Sequence, residues 1–417
     1  MNEYLDTLEV RDPQVRERNA LAALPHFLAQ SKAVPGWARI LHGVHAADIN
    51  SRAALAQLPV TRKSDLHHLQ SELPPFGGLT LTTPHRLRRL FMSPGPIFDP
   101  EGHGADWWRC ARPMYAAGAR AGHIVQNCFS YHFTPAAAMI DGAAAKLGCA
   151  VIPAGIGQTE MQVQAMSTLK PDVYAGSPSF LKIIIEKARE MGADISSVQR
   201  AIVGAEALPP SLRNWLRENG VPQVLQMYGS ADIGNIAYES ACDGEVNPGM
   251  ILDEELLLEI VRPGTGDPLP DGEIGEIVVT SFNPDYPLIR FATGDLSAVL
   301  PGLSPCGRTN TRIRGWLGRA DQTAKVRAMF IHPSQVAQVQ KRHSLIVKAR
   351  LVVSGHMGQD EMTLHCEVEQ PDAAHDMAAA VADSIRDITK LRGDVRFVAC
   401  GSLPNDGKVI DDVRKYE

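Results

Sequence analysis

The sequence predicts an α/β protein with a large N-terminal domain of several subdomains and a small α+β C-terminal lid domain. Between about residues 86 and 300, short apolar runs alternate with helix-length segments, which is typical of a mainly parallel sheet. Glycine-rich turns separate the apolar runs near residues 256 and 280, and they indicate an antiparallel β portion. After Gly318 the pattern changes to alternating strands around one long helix. This change predicts domains at residues 1–317 and 318–417.

The individual elements follow from local patterns, taken in chain order. Apolar residues at helical spacing around Phe27 and Trp37 predict an amphipathic helical lead-in, and residues 58–66 predict an N-capped helix start. Apolar runs that end at Gly, Asn or Pro predict strands at Ile124–Asn127, Cys149–Pro153, Val173–Gly176, Val198–Gly204, Leu256–Val261 and Ile274–Thr280. The segments between them predict helices at Pro135–Leu147, Glu160–Leu169, Phe180–Met191 and Ser211–Asn219. In the lid, strands are predicted at Ala349–Val353, Met362–Val368 and Val395–Ala399, with a helix at Asp376–Thr389.

Composition excludes several classes of partner. The chain has 417 residues, 44% of them hydrophobic, and a formal net charge of −6. This negative net charge gives no sign of the excess positive charge that binding to nucleic acid or to an anionic membrane needs. The seven cysteines are scattered without a Cys-x-x-Cys pair, so we expect reduced thiols that mostly fill the core. With no signal-peptide pattern and no membrane-length apolar run, the sequence predicts a soluble, cytoplasmic protein.

The stretch at residues 285–296, Asp-Tyr-Pro-Leu-Ile-Arg-Phe-Ala-Thr-Gly-Asp-Leu, organises the functional interpretation. Its apolar residues predict a buried strand, followed by a glycine turn at Gly294 with Asp295 at the exit. A carboxylate fixed there can accept both hydroxyls of a ribose. Most Thr-Gly-Asp tripeptides are plain hairpin turns, so the tripeptide alone leaves that alternative open.

A second stretch follows at residues 318–327, Gly-Arg-Ala-Asp-Gln-Thr-Ala-Lys-Val-Arg. In this order and spacing the two stretches resemble the adenylate-forming acyl-CoA ligase superfamily, most closely the phenylacetate-CoA ligases. The resemblance extends from about residue 58 to Lys408. It implies a reaction in two halves. A carboxylate attacks the α-phosphate of ATP and releases pyrophosphate, and a thiol, normally coenzyme A, then displaces AMP from the acyl-adenylate.

The resemblance also implies nucleotide and metal contacts. Asp295 would hold the ribose, and Asp232 would be the Mg²⁺ ligand where relatives carry Glu; a carboxylate one methylene shorter can still hold Mg²⁺, directly or through water. The remaining implied nucleotide-binding residues border or stack on the adenine: Gly204, Ala205, Glu206, Tyr228, Gly229 and Ser230. The turn Gly176-Ser177-Pro178 resembles the family's turn beneath the nucleotide, although an ordinary helix N-cap has the same appearance.

The phosphate loop is the poorest match. It falls at residues 91–102, where Ser93, Gly95 and Gly102 keep the family's character. Pro94 and Pro96 each remove a backbone N–H donor, which a loop that binds phosphate needs. A rigid turn after a strand explains the same residues, so both interpretations stay open.

Tyr131, His132 and Phe133 lie where phenylacetate-CoA ligases carry an aromatic loop beside the acid, and the resemblance implies an acyl pocket there. A strand that ends in these residues can present aromatic rings as an apolar wall and one polar group to a bound acid. Aromatic residues that simply end a core strand are the alternative.

The hinge and a catalytic lysine complete the resemblance. Asp321 matches the pivot for lid rotation, with Arg319 near the ribose or phosphate, and Lys408 matches the lysine that stabilises the transition state. A surface turn and a solvated C-terminal lysine are the respective alternatives. Ala328 stands where relatives carry a glycine that lines the thiol channel, and this puts the thioester half in doubt.

Taken together, the sequence predicts an AMP-forming ligase that joins an organic acid, plausibly aromatic, to coenzyme A with ATP and Mg²⁺. The expected partners are these small molecules, with no nucleic acid or membrane, and the family implies a possible homodimer. The resemblance also raises the question of a structural zinc, which some phenylacetate-CoA ligase relatives hold with Cys and His. Cys242 and Cys306 occupy suitable positions, but the partner positions are Ile251 and Ser304. Four ligands do not assemble, so we predict no zinc site. Two alternatives remain: an adenylating enzyme with an amine or carrier thiol as acceptor, and a catalytically silent nucleotide- or acyl-binding protein.

Overall fold

The computed structural model describes residues 4–93, 96–326, 329–356 and 359–414. The chain divides into two compact units. The first contains Met1–Val261, Gly266–Thr293 and Ala298–Trp316, and the second contains Arg262–Thr265, Gly294–Ser297 and Leu317–Glu417. The mobility of the lid and its predicted start at residue 318 stay predictions. In the described part of the chain, no helix has both the length and the apolar character needed to cross a bilayer.

The helices and strands are numbered in chain order. The helices are α1 (Pro13–Ser31), α2 (Pro35–Ile40), α3 (Arg52–Leu55), α4 (Leu66–Glu72), α5 (Ala111–Ala116), α6 (Ala136–Leu147), α7 (Thr159–Leu169), α8 (Pro178–Glu190), α9 (Pro210–Glu218), α10 (Pro333–Arg342) and α11 (Ala378–Thr389). The first strands are β1 (Thr61–Arg62), β2 (Arg89–Ser93), β3 (Ile97–Glu101), β4 (Ile124–Asn127), β5 (Ala150–Ile152), β6 (Val173–Gly176), β7 (Arg200–Val203), β8 (Gln223–Ser230), β9 (Gly234–Tyr238), β10 (Ala241–Cys242), β11 (Glu245–Val246) and β12 (Met250–Leu252). The later strands are β13 (Leu256–Val261), β14 (Gly275–Ser281), β15 (Leu288–Ser297), β16 (Val299–Leu300), β17 (Arg312–Ile313), β18 (Ala324–Val326), β19 (Met329–Ile331), β20 (Lys348–His356), β21 (Gln359–Val368), β22 (Asp394–Ala399) and β23 (Ile410–Asp412).

A large sheet in the first unit has the strand order β16-β17-β12-β9-β8-β7-β6-β4-β5. Its half from β8 to β5 is parallel, and its half from β8 to β16 is antiparallel. The parallel half contains the strands predicted from the alternation of apolar runs and helices. The predicted mainly parallel sheet is therefore present. The predicted antiparallel portion is a separate sheet of the order β1-β15-β14-β13, in which β13 pairs antiparallel with β14.

Helices cover both faces of the parallel half. Successive residues of a strand point to opposite faces of the sheet, so each strand contributes side chains to both helix layers. Val173 and Ala175 of β6 join the apolar cluster that contains α6, whereas Tyr174 between them joins the cluster that contains α7 and α8. Such double coverage requires apolar residues on both sides of each strand, and β6 is buried at every position. The parallel half of the sheet is therefore covered by helices on both faces, as in doubly wound α/β folds.

The predicted N-capped helix start at residues 58–66 is wrong. Thr61 and Arg62 form the short strand β1, which pairs in parallel with Phe291 and Ala292 of β15. A 3₁₀ turn over Lys63–Asp65 follows, and α4 begins at Leu66 without a side-chain cap. The partner strand lies more than two hundred residues away along the chain, so the local sequence does not reveal this pairing.

The predicted turn at Gly294 is also wrong, because β15 continues as a strand from Leu288 to Ser297. Gly294 has a φ of +77°, and a Cβ atom there would lie 2.6 Å from Nη2 of Arg319. Glycine is thus needed for the backbone angle and for the close approach of the guanidinium. Asp295 forms an isolated antiparallel bridge with Arg319, which keeps the strand extended through the glycine.

Arg290 anchors the same strand in the first unit. Its guanidinium binds both carboxylate oxygens of Glu259 at 3.0 Å and donates to the carbonyl oxygens of Ala56, Leu58 and Gly266. A buried arginine with every donor direction used is stabilised against the desolvation of its charge. The side chain therefore ties β15 to β13 and to the segment that precedes β1.

The second unit contains a sheet with the order β22-β21-β20-β23. β20 and β21 are antiparallel, and β22 and β23 join them in parallel on either side. Val381 and Ile385 of α11 pack in the apolar cluster of this sheet. The predicted α+β character is confirmed, whereas β23 was not predicted.

Candidate active site

A cavity of about 710 Å³ in the first unit lies at the carboxyl ends of β4, β6, β7 and β8. Each of these neighbouring strands contributes residues at or just beyond its end. The carboxyl ends of parallel strands are where open α/β sheets bind their ligands, because the loops there diverge and leave a crevice. The residues that line the cavity at these ends are Cys128, Phe129 and Ser130 after β4, Ser177 and Ser179 after β6, Gly204 and Ala205 after β7, and Met227, Gly229 and Ser230 of β8.

Four of the predicted adenine contacts, Gly204, Ala205, Gly229 and Ser230, line this cavity. Ala205 adopts a left-handed φ of +68°, an uncommon angle for a residue with a side chain. Such strain persists where the surrounding structure enforces it, often at ligand sites. The structure thus brings two separate sequence phrases together on one wall.

The other two predicted adenine contacts lie beside that wall. The Glu206 carboxylate accepts a hydrogen bond from the Ser179 backbone N–H at 2.7 Å, so the loop after β7 is fastened to the start of α8. The Tyr228 hydroxyl lies 3.4 Å from Oγ1 of Thr293. Neither residue contributes to the lining described for the cavity.

Gly229 is required by a close backbone approach. A Cβ atom at this position would lie 2.4 Å from the carbonyl oxygen of Gly234, on the neighbouring strand β9. The register between β8 and β9 shifts between Tyr228 and Gly229. A side chain at Gly229 would therefore displace the strand that carries Ser230 to the cavity.

The predicted phosphate loop connects β2 and β3, which pair as a hairpin with Ser93 opposite Ile97. Ser93 lines the cavity and donates a hydrogen bond of 2.8 Å to Oδ2 of Asp99. Gly95, the second predicted phosphate contact, and Pro94 lie outside the described residues. The structure therefore places one predicted donor of this loop at the cavity.

Asp232, the predicted Mg²⁺ ligand, is paired with Lys63. Lys63 Nζ donates to Oδ2 of Asp232 at 2.5 Å, and the carboxylate side chain is fully buried while the lysine side chain is 30% exposed. Lys63 lines the cavity. The cation consequently lies between the cavity and the buried acid.

Two further polar residues lie around this pair. Burial, with a smaller contribution from Asp232, raises the pKa of Asp99 to about 7. Burial and the charges of both acids also raise the pKa of Tyr286. Within the described residues, the Tyr286 hydroxyl and one oxygen each of Asp99 and Asp232 have no hydrogen-bond partner. The ammonium group of Lys63 thus offsets the negative charge of two buried carboxyl groups, those of Asp99 and Asp232.

The free oxygen of Asp232 is the observation that bears on Mg²⁺. Mg²⁺ usually takes one or two carboxylates and fills its remaining positions with water and substrate phosphate. A buried carboxylate oxygen without a partner fits one such ligand. The role of Asp232 as the Mg²⁺ ligand stays a prediction, and Asp232 is the side chain that would hold the ion.

The predicted acyl-pocket residues do not line the cavity, although Ser130 and Thr134 on either side of them do. Phe133 is 71% exposed, and Tyr131 donates a hydrogen bond of 2.9 Å from its hydroxyl to Asp141. His132 is exposed as well. The apolar wall of the cavity instead includes Phe129 and Phe180, with Met139, Ile183 and Met227. The acyl role of the three predicted residues therefore rests on the resemblance and stays a prediction.

In the second unit, Asp295 and Arg319 form one pair. Arg319 Nη1 lies 3.1 Å from Oδ1 of Asp295, and the backbones on either side are joined by hydrogen bonds between Leu296 and both Leu317 and Gly318. The predicted ribose acid and the predicted hinge arginine are therefore neighbours, although 24 residues separate them. The side chain of Asp321 lies outside the described structure; its backbone forms part of the 3₁₀ turn Ala320–Gln322.

Lys408 is exposed in the same unit and makes an ion pair with Asp411, with Nζ 3.2 Å from Oδ1. Its backbone N–H donates to Asp406. The lysine therefore sits on an ordered loop between two acids.

Comparisons with known proteins decide the family. A model of the AMP-binding enzyme family matches residues 111–283. A phenylacetate-coenzyme A ligase of Aromatoleum evansii is 30% identical over 369 residues, which cover 85% of this chain and 80% of the relative. The chain belongs to the phenylacetate-coenzyme A ligase family of AMP-binding enzymes. The predicted family, and with it the class of AMP-forming acid–CoA ligases, is confirmed.

Further similarities agree with membership of the phenylacetate-coenzyme A ligase family. The phenylacetate-coenzyme A ligase of Thermus thermophilus is 30% identical over 351 residues, with 81% of this chain and 78% of the relative covered. An open conformation of 2-hydroxyisobutyryl-CoA ligase, solved with 2-HIB-AMP and CoA, has a TM-score of 0.84 at 22% identity. That comparison covers 97% of this chain and 93% of the other, and at this identity it shows the fold. The predicted fold class is confirmed.

Sequence reasoning missed Lys63, Asp99 and Tyr286 in this member of the phenylacetate-coenzyme A ligase family. Lys63 stands in residues 58–66, where the resemblance to the family begins, and this segment was the available signal. Asp99 lies within the predicted phosphate loop and Tyr286 within residues 285–296, but neither was given a role, because what distinguishes them is burial near Asp232. Isolated Asp and Tyr residues in a sequence carry no mark of such an environment.

Proposed function

We propose that this protein adenylates an organic carboxylic acid with ATP and Mg²⁺ and transfers the acyl group to coenzyme A. The observation that carries the proposal is the cavity at the carboxyl ends of the parallel strands. Its walls bring together residues from three family phrases, at Ser93, Gly204 and Ser230. Membership of the phenylacetate-coenzyme A ligase family supports the two-step chemistry, which needs a carboxylate to attack the α-phosphate before a thiol displaces AMP.

Residues of the first unit would bind and orient the substrates. Ser93 and Lys63 offer a hydroxyl and a fixed cation to negatively charged groups in the cavity, and Gly204 and Ala205 offer backbone to the adenine. A cation held at 2.5 Å by a buried acid keeps its position as charge develops on the substrate, so little reorganisation is needed. Asp232 would hold Mg²⁺, which neutralises phosphate charge when it is bound.

Residues of the second unit would complete the reaction. Asp295, with Arg319 beside it, would accept the ribose hydroxyls, and Asp321 would be the pivot of the lid. Lys408 would place a positive charge on the acid and the α-phosphate as the new bond forms. Because this charge acts mainly on the transition state, Lys408→Ala should lower the rate of adenylation far more than ATP affinity.

The acid is proposed to be aromatic, as in the phenylacetate ligases. Phe129 and Phe180 from two different elements face the cavity, and most of the neighbouring lining is apolar. A cavity of about 710 Å³ falls within the range that holds a drug-sized ligand. The cavity therefore has room for an aryl acid, and its apolar wall favours a ring over a small hydroxy acid.

The proposal is tested by product analysis with the purified protein, ATP, Mg²⁺ and coenzyme A. Phenylacetate, benzoate, acetate and 2-hydroxyisobutyrate are supplied one at a time, and AMP, pyrophosphate and acyl-CoA are measured. We expect all three products with an aryl acid, in equal amounts. AMP formation with hydroxylamine or an amine as acceptor, but never with coenzyme A, would overturn the acceptor and support the alternative suggested by Ala328, a residue outside the described structure.

A further inference from the structure

The loop that carries Lys408 is held on both sides by one glutamine. Gln322 Nε2 donates to the carbonyl oxygen of Gly407 at 3.1 Å, and Gln322 Oε1 accepts from the N–H of Val409 at 2.7 Å. These are the two residues that flank Lys408. A single side-chain amide thus fixes the backbone immediately before and immediately after the lysine.

A buried arginine binds the two acids that lie beside Lys408 in the same loop. Arg350 of β20 makes two hydrogen bonds of 3.0 Å with the carboxylate of Asp406 and a third with Asp411. Asp411 in turn accepts from Nζ of Lys408 at 3.2 Å. Bidentate arginine–carboxylate contacts are directional, so they fix the orientation of the acids beside the lysine.

Gln322 lies next to the predicted hinge residue, so its contacts link the hinge to the Lys408 loop. Gln322 follows Asp321 directly, and both belong to the 3₁₀ turn Ala320–Gln322. If the chain turns at Asp321, Gln322 is the first residue on the moving side. Its two hydrogen bonds then make the Lys408 loop turn with it as one rigid piece.

We propose that Gln322 is a positioning residue that holds Lys408 in its adenylation geometry through the backbone of Gly407 and Val409. The inference rests on the proposed function of Lys408 and extends it, because it assigns the lysine's placement to a residue beside the hinge. A cation on a flexible four-carbon stem is useful in catalysis only where its base is fixed, and misplacement by about 1 Å can cost about a hundredfold in rate.

The test replaces Gln322 with methionine, which keeps the length of the side chain and removes both hydrogen bonds. The matched control is Gln340→Met. Gln340 lies in α10 of the same unit, and its side-chain amide likewise makes two hydrogen bonds to the backbone, donating to the carbonyl oxygens of Ile346 and Val347. Lys408→Ala is measured beside both variants. All are prepared as full-length protein.

Two half-reactions are measured separately. ATP–pyrophosphate exchange with the acid that the wild type accepts reports adenylation, and acyl-CoA formation from a preformed acyl-adenylate reports thiolysis. For Gln322→Met we expect the rate constant of exchange to fall about ten- to thirtyfold, as expected for two lost hydrogen bonds. The KM for ATP and the rate of thiolysis should stay within twofold of the wild type, and Gln340→Met should match the wild type in every measurement.

The contrary outcomes are distinct. Wild-type exchange in Gln322→Met, with exchange lost in Lys408→Ala, overturns the inference alone. Equal losses in exchange and thiolysis also overturn it, because they indicate a structural role. Full exchange in Lys408→Ala refutes the catalytic role of the lysine, and an absence of acid-dependent exchange in the wild type refutes the proposed function; either result removes the inference as well.

Discussion

Replacing Lys63 with methionine tests whether this lysine offsets the buried acids beneath the cavity. Methionine keeps the unbranched stem and removes the ammonium group. The fully buried Asp232 carboxylate then loses the cation that pairs with it. Burial already raises the pKa of the neighbouring Asp99. A buried charge without a partner is costly, since neither water nor protein stabilises it.

The magnitude follows from the burial of the two partners. Breaking a buried ion pair by removing one partner costs about 3–5 kcal/mol. The Lys63 side chain retains 30% exposure, so water can reach the site and the cost should lie near the lower end, about 3 kcal/mol. Adding Asp232→Asn removes the unpaired charge. The double variant should therefore recover to within about 1 kcal/mol of the wild type.

The free energy of unfolding is measured by urea denaturation with tryptophan fluorescence. The chain has five tryptophans, and all of them lie in the segments of the first unit, so the signal follows the unit that contains the pair. Lys182→Met is the control, because its lysine forms an exposed pair with Glu186 on α8. We expect this control to cost less than about 1 kcal/mol. A similarly small loss in Lys63→Met, or further destabilisation on adding Asp232→Asn, would refute the reasoning.

Three further predictions follow from the described structure. The pKa of Asp99 is raised to about 7 in the folded protein, so the wild type binds a proton on folding between about pH 4 and 7. Its stability relative to Asp99→Asn should therefore fall as pH rises through this range, by up to about 4 kcal/mol in urea titrations; a constant difference would contradict it. Gly294→Ala should lower the thermal midpoint more than Gly272→Ala, because both have positive φ but only Gly294 has an atom of Arg319 in the way; equal shifts would remove the steric argument. Phe129→Ala should lower kcat/KM for an aryl acid about tenfold or more and leave the KM for ATP unchanged, and an effect confined to ATP would show that this ring lines the nucleotide instead.

The strands of the parallel sheet were predictable because their signals are local. β4 and β6 have the predicted bounds, since each is a short apolar run that ends at a polar residue or a glycine. The strand β13 was predicted for the same reason. Short apolar runs with these boundaries favour buried strands, and β6 is buried by helices on both faces.

The elements that sequence reasoning missed depend on distant partners. β1 has two residues and exists through its pairing with β15, and β23 likewise pairs with β20. The strand at Gly294 continues because Arg319 forms a bridge with Asp295, which outweighs the turn preference of the local Thr-Gly-Asp. In each case the deciding contact comes from a residue far along the chain.

The candidate site shows the same division. The residues around Gly204 and Ser230 were singled out through their resemblance to family phrases, and both line the cavity. The pairing of Lys63 with Asp232 was not found, because an ion pair between distant residues leaves no pattern in either segment. Phe133 is 71% exposed, and its role beside the acid stays a prediction.

The central claim is that the cavity of the first unit serves the adenylation of a carboxylic acid. ATP–pyrophosphate exchange, measured with Mg²⁺ across a panel of aryl and short-chain acids, tests it most directly. We predict exchange that depends on the acid and is strongest with aryl acids. Nucleotide binding by calorimetry, with no exchange for any acid in the panel, would contradict the claim and indicate a protein that binds nucleotide without catalysing the reaction.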